Sequence, residues 1–230
     1  MPTPNVAARP AATVMLIRDG VAGIEVLMVR RHGRGFFGGL TVFPGGAVDP
    51  VDRSELAASV VSGDSPDQEF RVAALRELAE ETGLALTGSG PAPAPSGRGA
   101  ELLTALGAEG LILDGSSLVL VSRWVTPEYA PSRFDTRFYL AGVADIPEIR
   151  LDPEELVAHM WIDPADALAL EESGEVKMFL PTIAHLRWLA RRPDVERAIA
   201  ASQGADGRSL VQPRRMGDGS LVPIHLPDPG

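Results

Sequence analysis

The alternation of apolar and polar positions predicts strands in two parts of the chain. Residues 13–18 and 24–30 form two apolar runs joined by a turn at Asp19 and Gly20. The same alternation returns over residues 118–125 and 133–143, where aromatic and aliphatic side chains on one face oppose mostly charged side chains on the other.

A second pattern, with the period of a helix, lies between these two groups of strands. Ser65 is expected to cap the helix, Pro66 suits its first position and Gln68 can close a capping box, while Gly83 ends it after Thr82. Further helices are predicted over residues 101–106, 164–172 and 181–200, and the chain ends in a predicted hairpin of residues 209–214 and 221–226.

Low-periodicity segments set the expected domain organisation. Residues 1–10 are interpreted as a flexible N-terminal arm and residues 11–230 as a single domain, because no second complete core follows any break. Within that domain, 47–64 is predicted to be an extended loop and the Pro/Ala-rich stretch 88–99 a surface loop. Mixed strands and helices in this order indicate an α+β or layered α/β fold.

Composition narrows the classes of function. A hydrophobic content of 45% permits a buried core, and the absence of cysteine excludes a disulfide scaffold, a thiolate zinc site and a cysteine nucleophile. We expect a soluble cytoplasmic protein without a membrane partner, since neither a signal peptide nor an apolar run of roughly 20 residues is present. The net charge of −10 argues against a nucleic-acid partner and requires local arginines or bound cations for any phosphate substrate.

Three glutamates at the end of the predicted helix are the strongest candidates for chemistry. Glu77, Glu80 and Glu81 fall within an arc of roughly 100° on the helix. They continue a stripe that carries Phe70 and Ala73, so they face protein or a cleft rather than open water. Oxygen ligands of this kind suit Mg²⁺ or Mn²⁺.

The sequence around these glutamates resembles the Nudix hydrolase family. The resemblance rests on two stretches, 43–46 (Phe-Pro-Gly-Gly) and 76–84 (Arg-Glu-Leu-Ala-Glu-Glu-Thr-Gly-Leu). It implies an α/β/α sandwich with a mixed central sheet, and metal ions that activate water against a diphosphate in a small nucleotide substrate.

The resemblance also implies roles for individual residues. Glu77, Glu80 and Glu81 are expected to be catalytic metal ligands, Arg76 to orient a glutamate, and the carbonyl oxygen of Gly45 to complete the coordination. A binding module of the same fold that senses a nucleotide without cleaving it is the alternative, and the intact glutamate trio argues against it.

One departure from the family pattern lies between the two stretches. The arginine expected at position 60 stands at Arg76, an insertion of 16 residues. The glutamate that usually follows the glycine pair by six residues corresponds by count to Asp52, but Asp64, Gln68 and Glu69 are alternative counterparts. Because the insertion precedes the helix, we expect the metal-binding half to remain intact.

A narrower resemblance gives an expected substrate. Stretches 26–31, 42–49, 124–127 and 133–136 resemble the branch that includes the mammalian peroxisomal coenzyme A diphosphatase. Coenzyme A or acyl-coenzyme A is therefore the expected substrate, and ADP-ribose, NADH, dinucleoside polyphosphates and oxidised nucleoside triphosphates are the alternatives. A homodimer is compatible with the sequence.

The remaining candidates each have a structural alternative. Arg30, Arg31 and Arg34 can supply positive charge for phosphates or simply end a strand in solvent, and Phe37 can stack on a base or pack in the core. Arg133 and Arg137 share a strand face with Asp135, where a salt-bridge row and substrate contact are both open. The general base is expected to be Glu154 or Glu155, with Glu80 as the competing candidate, and the four histidines are interpreted as structural or surface residues.

Overall fold

The computed structural model describes residues 6–33, 38–204, 210, 211 and 213. In it, a mixed sheet of eight strands lies between two layers of helices. The elements follow one another as β1 (Arg9–Asp19), β2 (Ile24–Arg31), β3 (Thr41–Val42), β4 (Gly45–Ala47), a 3₁₀ helix (Pro50–Arg53), α1 (Glu55–Val60), β5 (Val61–Ser62), α2 (Gln68–Thr82), β6 (Leu84–Thr87), β7 (Gly90–Pro93), α3 (Ala100–Ala108), β8 (Leu113–Asp114), a second 3₁₀ helix (Gly115–Ser117), β9 (Val119–Val125), β10 (Phe134–Gly142), β11 (Leu156–Ile162), α4 (Pro164–Glu172), α5 (Leu180–Leu189), α6 (Val195–Gly204) and β12 (Leu210–Val211).

The order of strands in the main sheet is β11-β2-β1-β10-β9-β12, with β3 beside β2 and β4 beside β1. The central pair, β1 and β10, is parallel, and the pairs β1–β2, β10–β9 and β11–β2 are antiparallel. A smaller sheet runs β5-β8-β6-β7. The mixed sheet that the sequence predicts is confirmed.

The two faces of the main sheet bury two separate cores. Along β1, Val14 and Leu16 face the core formed with α1, α2 and α3, whereas Met15 and Ile17 face the core formed with α4, α5 and α6. This division follows from the two-residue period of a strand. Helices on both faces of a sheet make the expected α/β/α sandwich. No helix among the described residues has the length and apolar character needed to cross a bilayer.

Three of the segments predicted to be irregular contain strands or helices. The expected N-terminal arm 1–10 is wrong at its end, because β1 begins at Arg9, whose amide donates to the carbonyl of Arg133. The expected loop 47–64 contains a 3₁₀ helix and α1, which buries Ala57 and Val60. The expected surface loop 88–99 contains β7, which pairs with β6. In each segment the backbone forms hydrogen bonds that the local sequence pattern does not predict.

Two predicted helices have different limits. The helix predicted over 181–200 is two helices, α5 and α6, because Pro193 cannot donate a helical hydrogen bond and Asp194 accepts from the amide of Arg197 at 2.8 Å to begin the second one. The central helix begins at Gln68 rather than near Ser65, since Asp67 holds the N-cap position. It ends as predicted at Gly83, which has a φ of 69°.

Several predictions fall outside the described residues. They are the substrate contacts of Arg34 and Phe37 and most of the C-terminal hairpin of residues 209–214 and 221–226. The described part of that hairpin, β12, pairs in parallel with β9.

The Asp67 carboxylate connects the start of α2 to the main sheet. It accepts a hydrogen bond from Tyr139 Oη at 2.6 Å and another from Arg71 Nε at 2.9 Å, and Ser65 Oγ also donates to it. Burial alone would raise the pKa of Asp67, but these hydrogen bonds lower it from 3.8 to about 2. The charged carboxylate is therefore favoured in the folded state.

We expect the substitution Asp67→Asn to lower the free energy of unfolding by about 2 kcal/mol at neutral pH. Because the folded-state pKa of Asp67 is depressed, its contribution is complete above the unfolded value near 3.8 and is lost as pH falls through about 2. Urea unfolding at several pH values should show the wild type and the variant converging in acid. The matched control is Asp64→Asn at an exposed position, and a difference that does not shrink between pH 4 and pH 2 would contradict the prediction.

Candidate functional site

The last two turns of α2 place three glutamates next to strands β1 and β4. The side chain of Glu77 is 14% exposed, that of Glu80 is 9% exposed and that of Glu81 is 2% exposed. This burial agrees with the stripe predicted from the sequence, in which the acids face protein. Carboxylates withdrawn from water to this degree need compensating partners.

The guanidinium group of Arg76 supplies most of that compensation and is itself 1% exposed. Its Nε and Nη2 donate to the two carboxylate oxygens of Asp52 at 2.7 and 3.0 Å, and Nη2 also donates to the carbonyl of Ala47 at 3.1 Å. Its Nη1 donates to Glu77 Oε1 at 2.8 Å and Glu80 Oε1 at 3.1 Å. All five N–H donors of the group are used.

Asp52 is therefore the acidic partner of Arg76, at the position six residues after Gly46. The alternatives do not occupy that place: Asp64 is exposed, Glu69 pairs with Arg53, and the Oε1 atom of Gln68 is buried without a hydrogen-bond partner among the described residues. The inserted residues lie between Asp52 and Arg76. The six-residue spacing from Gly46 to Asp52 is the feature of the sequence that points to this partner. It is less distinct than usual because an aspartate stands where the family pattern has a glutamate.

Glu81 is held from the opposite side by β2 and β4. Its Oε2 accepts from the backbone N–H of Gly45 at 3.0 Å, and its Oε1 lies 3.3 Å from Arg31 Nη1. Gly45 thus contacts the cluster through its amide, and the expected role of its carbonyl oxygen in metal binding stays a prediction. Arg31 takes the place expected of Arg30, which is exposed and, by the alternation of β2, belongs to the other face of the sheet.

Burial and mutual repulsion act on the protonation of the glutamates. Burial raises the pKa of Glu77 to about 7, with Arg76 opposing the rise and Glu80 adding to it. Burial also raises the pKa of Glu81 to about 8, with Arg31 opposing and Glu77 adding. Burial would lower the pKa of Arg76, but the hydrogen bond to Asp52 and the charges of the surrounding carboxylates hold it above its usual value.

The charge balance of this cluster suits divalent cations. Six carboxylates (Asp49, Asp52, Glu77, Glu80, Glu81 and Glu155) face two guanidinium groups (Arg31 and Arg76), so that with every group ionised the cluster is four positive charges short. The raised pKa values of Glu77 and Glu81 are the expected response to that shortage when no cation is bound. The adjoining Arg98–Asp152 pair is neutral and leaves this balance unchanged. A buried deficit of this size, with oxygen donors, fits Mg²⁺ or Mn²⁺.

The cluster is not, however, already arranged as a ligand set. Within the part of the chain that the structure describes, no three acidic or histidine side chains converge as they would around a metal ion. The carboxylates instead accept from arginines and amides. Gly46 shows how closely the cluster approaches the backbone, because a Cβ atom built there would lie 2.4 Å from the carboxylate carbon of Glu77.

A second group of charges joins the loop before β11 to the cluster. Glu155 Oε2 accepts from Arg31 Nη2 at 3.1 Å, and its other oxygen pairs with Arg98. The backbone N–H of Gly99 donates to Glu80 Oε1 at 2.7 Å. Glu154 is exposed, and its amide donates to Asp152. Of the two candidate bases, only Glu155 is therefore connected to the glutamates through a shared partner.

Arg31 also stands at the boundary of two cavities. One, of about 530 Å³, is lined by Arg31, His32 and residues 153–155. The other, of about 460 Å³, lies on the opposite face of the sheet and is mainly apolar, with Phe43, Trp124 and Phe138 in its wall. Gly45 and Gly46 belong to its lining and also contact Glu81 and Glu77, so the backbone of β4 adjoins both the apolar cavity and the glutamates.

Arg133 and Arg137 lie away from this junction. Arg133 is buried and donates to the carbonyls of Val6 and Thr126 at 2.6 and 3.1 Å, which ties the N-terminal segment to β10. The guanidinium carbon of Arg137 lies 3.4 Å from the ring centroid of Phe70. Asp135 pairs instead with Arg123 on the neighbouring strand. The salt-bridge row that was one of the two alternatives for this face of β10 is not formed, because these side chains have their partners on other elements. Substrate contact by Arg133 and Arg137 stays a prediction.

Comparison with known proteins places this geometry in a family. A NUDIX domain profile matches residues 7–182. The chain is 39% identical to a NUDIX hydrolase of Alicyclobacillus acidocaldarius of known crystal structure, with a TM-score of 0.75 over 85% of this chain and 96% of the other. It is 31% identical over 199 residues to a Caenorhabditis elegans protein provisionally named nudix hydrolase 7; that match covers 81% of this chain but only 62% of the length of the relative.

The substitution Arg76→Lys should destabilise the fold severely. An ammonium group cannot reproduce the paired hydrogen bonds to Asp52, so a buried carboxylate would be left partly unpaired at a cost of about 3–5 kcal/mol. Thermal or urea unfolding measures the loss. Arg53→Lys, at the exposed pair with Glu69, is the control and should change little; equal effects of the two substitutions would show that the Arg76 network contributes no special stability.

The substitution Gly46→Ala should weaken metal binding while leaving the protein folded. The new Cβ atom would meet the end of the Glu77 side chain, which can move away, so the carboxylate is displaced rather than the backbone. Titration with Mn²⁺ by calorimetry should show a dissociation constant raised by about tenfold or more. Gly88→Ala, where a Cβ meets nothing within 4 Å, is the matched control. An unchanged affinity in Gly46→Ala would remove Glu77 from the metal site.

Proposed function

This chain belongs to the NUDIX family, and we propose that it hydrolyses a diphosphate linkage in a small nucleotide, using Mg²⁺ or Mn²⁺ held by Glu77, Glu80 and Glu81. The observation that carries the proposal is the buried cluster with its shortage of positive charge, which shares Arg31, Gly45 and Gly46 with the lining of an apolar cavity. A nucleoside diphosphate derivative combines the two properties that such a junction suits, a polyanionic linkage and an uncharged flat group.

Bound divalent ions would neutralise the diphosphate and lower the pKa of a bound water. The protein side chains prepare that reaction by position. Arg76 holds Glu77 and Glu80 on one side of the cluster, and the Gly45 amide holds Glu81 on the other. These contacts keep the three carboxylates close together, and binding of a divalent ion would have to exchange some of them for metal ligation.

Arg31 is the side chain best placed to bind a substrate phosphate. It is 28% exposed, lines both cavities and is shared between Glu81 and Glu155 at 3.3 and 3.1 Å. A phosphate oxygen can replace either carboxylate as its partner with little movement of the guanidinium. We propose that Glu155 positions Arg31. For the role of general base, Glu155 is the first candidate and Glu80 is the alternative.

Coenzyme A or acyl-coenzyme A is the first substrate to test. The proposal is supported by the resemblance of stretches 26–31, 42–49, 124–127 and 133–136 to the coenzyme A diphosphatase branch. ADP-ribose, NADH, diadenosine polyphosphates and oxidised nucleoside triphosphates complete the panel. The arginine hydrogen bonds that already engage the glutamates favour one further candidate, a module that binds a nucleotide without cleaving it.

The substitution Glu81→Gln should reduce turnover of the active substrate by about a hundredfold or more, which corresponds to about 2.7 kcal/mol in the barrier. The amide keeps the shape of the side chain but removes its charge, so the fold should persist. Product release is measured across the panel with Mg²⁺, Mn²⁺ and excess chelator. Glu69→Gln is the control, because Glu69 lies on the same helix but pairs with Arg53 at the surface.

The outcomes separate the candidates. Cleavage of coenzyme A that disappears in Glu81→Gln supports both the site and the branch, and cleavage of another nucleotide alone keeps the site and discards the branch. Wild-type activity retained in Glu81→Gln contradicts the metal assignment. Tight nucleotide binding without turnover in any metal favours the sensor.

A further inference from the structure

A buried histidine lies directly beneath the apolar cavity. His185 is 0% exposed and contacts three side chains of the cavity wall. Its ring stacks on Phe138 with centroids 4.2 Å apart and meets Phe43 edge-on at 6.4 Å. It also lies 5.9 Å from the ring of Trp124.

The hydrogen bonds of His185 determine its protonation. Its Nδ1 lies 2.6 Å from the carbonyl oxygen of Pro181, which can only accept, so Nδ1 carries a proton. Burial lowers the pKa of His185 to about 4, which keeps the ring neutral and leaves Nε2 as an acceptor. Nε2 therefore accepts from Ser122 Oγ at 2.8 Å.

The chain of hydrogen bonds continues to the cavity wall. Because Ser122 Oγ donates its proton to His185, its lone pairs are available to Trp124, whose Nε1 donates to it at 3.1 Å. The indole, hydroxyl, imidazole and Pro181 carbonyl thus form one directed series with every donor used. Trp124 and Pro181, at its two ends, both line the cavity.

We propose that His185 is a positioning residue for substrate binding: through Ser122 it fixes the Trp124 indole, and by stacking it fixes the Phe138 ring, so that the cavity keeps a shape that receives a flat, uncharged aromatic group such as a nucleobase. This inference rests on the proposed function, because it assigns the cavity to the nucleoside part of the same substrate. The contrary reading is that the series only stabilises the core between the sheet and α5.

Binding and turnover should respond differently to loss of the series. The cavity wall touches the nucleoside and not the reacting phosphorus, so its disturbance removes binding that is equal in the ground and transition states. Ser122→Ala leaves Trp124 Nε1 and His185 Nε2 without their partner. We expect KM to rise about tenfold, or about 1.4 kcal/mol, with kcat changed less than about twofold.

The test compares three variants with the wild type on the panel substrate cleaved fastest. Ser122→Thr keeps the hydroxyl and should keep the wild-type KM. Leu189→Ala removes a buried side chain from the same core and should lower the melting temperature without raising KM. If Ser122→Ala does not fold, His185→Phe, which keeps a stacking ring and loses both hydrogen bonds, replaces it.

A second measurement makes the inference separable from the proposed function. Adenosine monophosphate and ribose 5-phosphate are titrated in chelator by calorimetry, and the ratio of their affinities gives the contribution of the base. The inference expects Ser122→Ala to reduce that ratio about tenfold and Leu189→Ala to leave it unchanged. Three outcomes would overturn the inference: an unchanged KM and affinity ratio in Ser122→Ala, equal shifts of both in Leu189→Ala, or a wild type that binds the two ligands equally well. If the wild type shows the base preference but no metal-dependent turnover, only the proposed function is overturned.

Discussion

The buried guanidinium of Arg76 is the interaction on which the functional end of the molecule depends. It joins the segment after β4, through Asp52 and Ala47, to two of the three glutamates on α2. The Arg76 side chain is only 1% exposed, so protein groups rather than water must compensate for the burial of these charges. The same contacts leave the cluster short of positive charge, which is the property that suits it to cations and to a polyanionic substrate.

The insertion is accommodated because it respects this interaction. Asp52 keeps its distance in sequence from Gly46, and the inserted residues fall after it, where α1 packs Ala57 and Val60 against the core of α2 and α3. A loop closure of this length costs little free energy once its ends are fixed, since the cost grows only slowly with length. The inserted segment therefore forms α1 beside the core of α2 and α3, and Asp52, which precedes it, still pairs with Arg76.

Two faces of one sheet meet at the short strand β4. Gly45 and Gly46 of this strand contact Glu81 and Glu77 on one face of the sheet and line the apolar cavity on the other. Arg31 crosses the same boundary from β2. Charge and apolar surface are usually separated in a folded protein, and their proximity at β4 is the arrangement that the proposed substrate, with a phosphate and a flat uncharged group, would require.

The sequence by itself determined the features that depend on local geometry. These are the alternating strands β1 and β10, the central helix with its end at Gly83, and the placement of Glu77, Glu80 and Glu81 on a protected face. Each follows from the fixed period of a strand or helix, which any stretch of residues displays.

Only the tertiary structure decided which distant residues meet. The partner of Arg76 is 24 residues away, that of Glu81 is 50 residues away, and the series from Trp124 to His185 spans 63 residues between Ser122 and the ring. Arg30 and Arg31 are neighbours in sequence, yet the alternation of β2 sends one to each side of the sheet. Such choices depend on which faces become buried against each other, because a polar side chain has many possible partners in the sequence and packing brings only a few of them within reach.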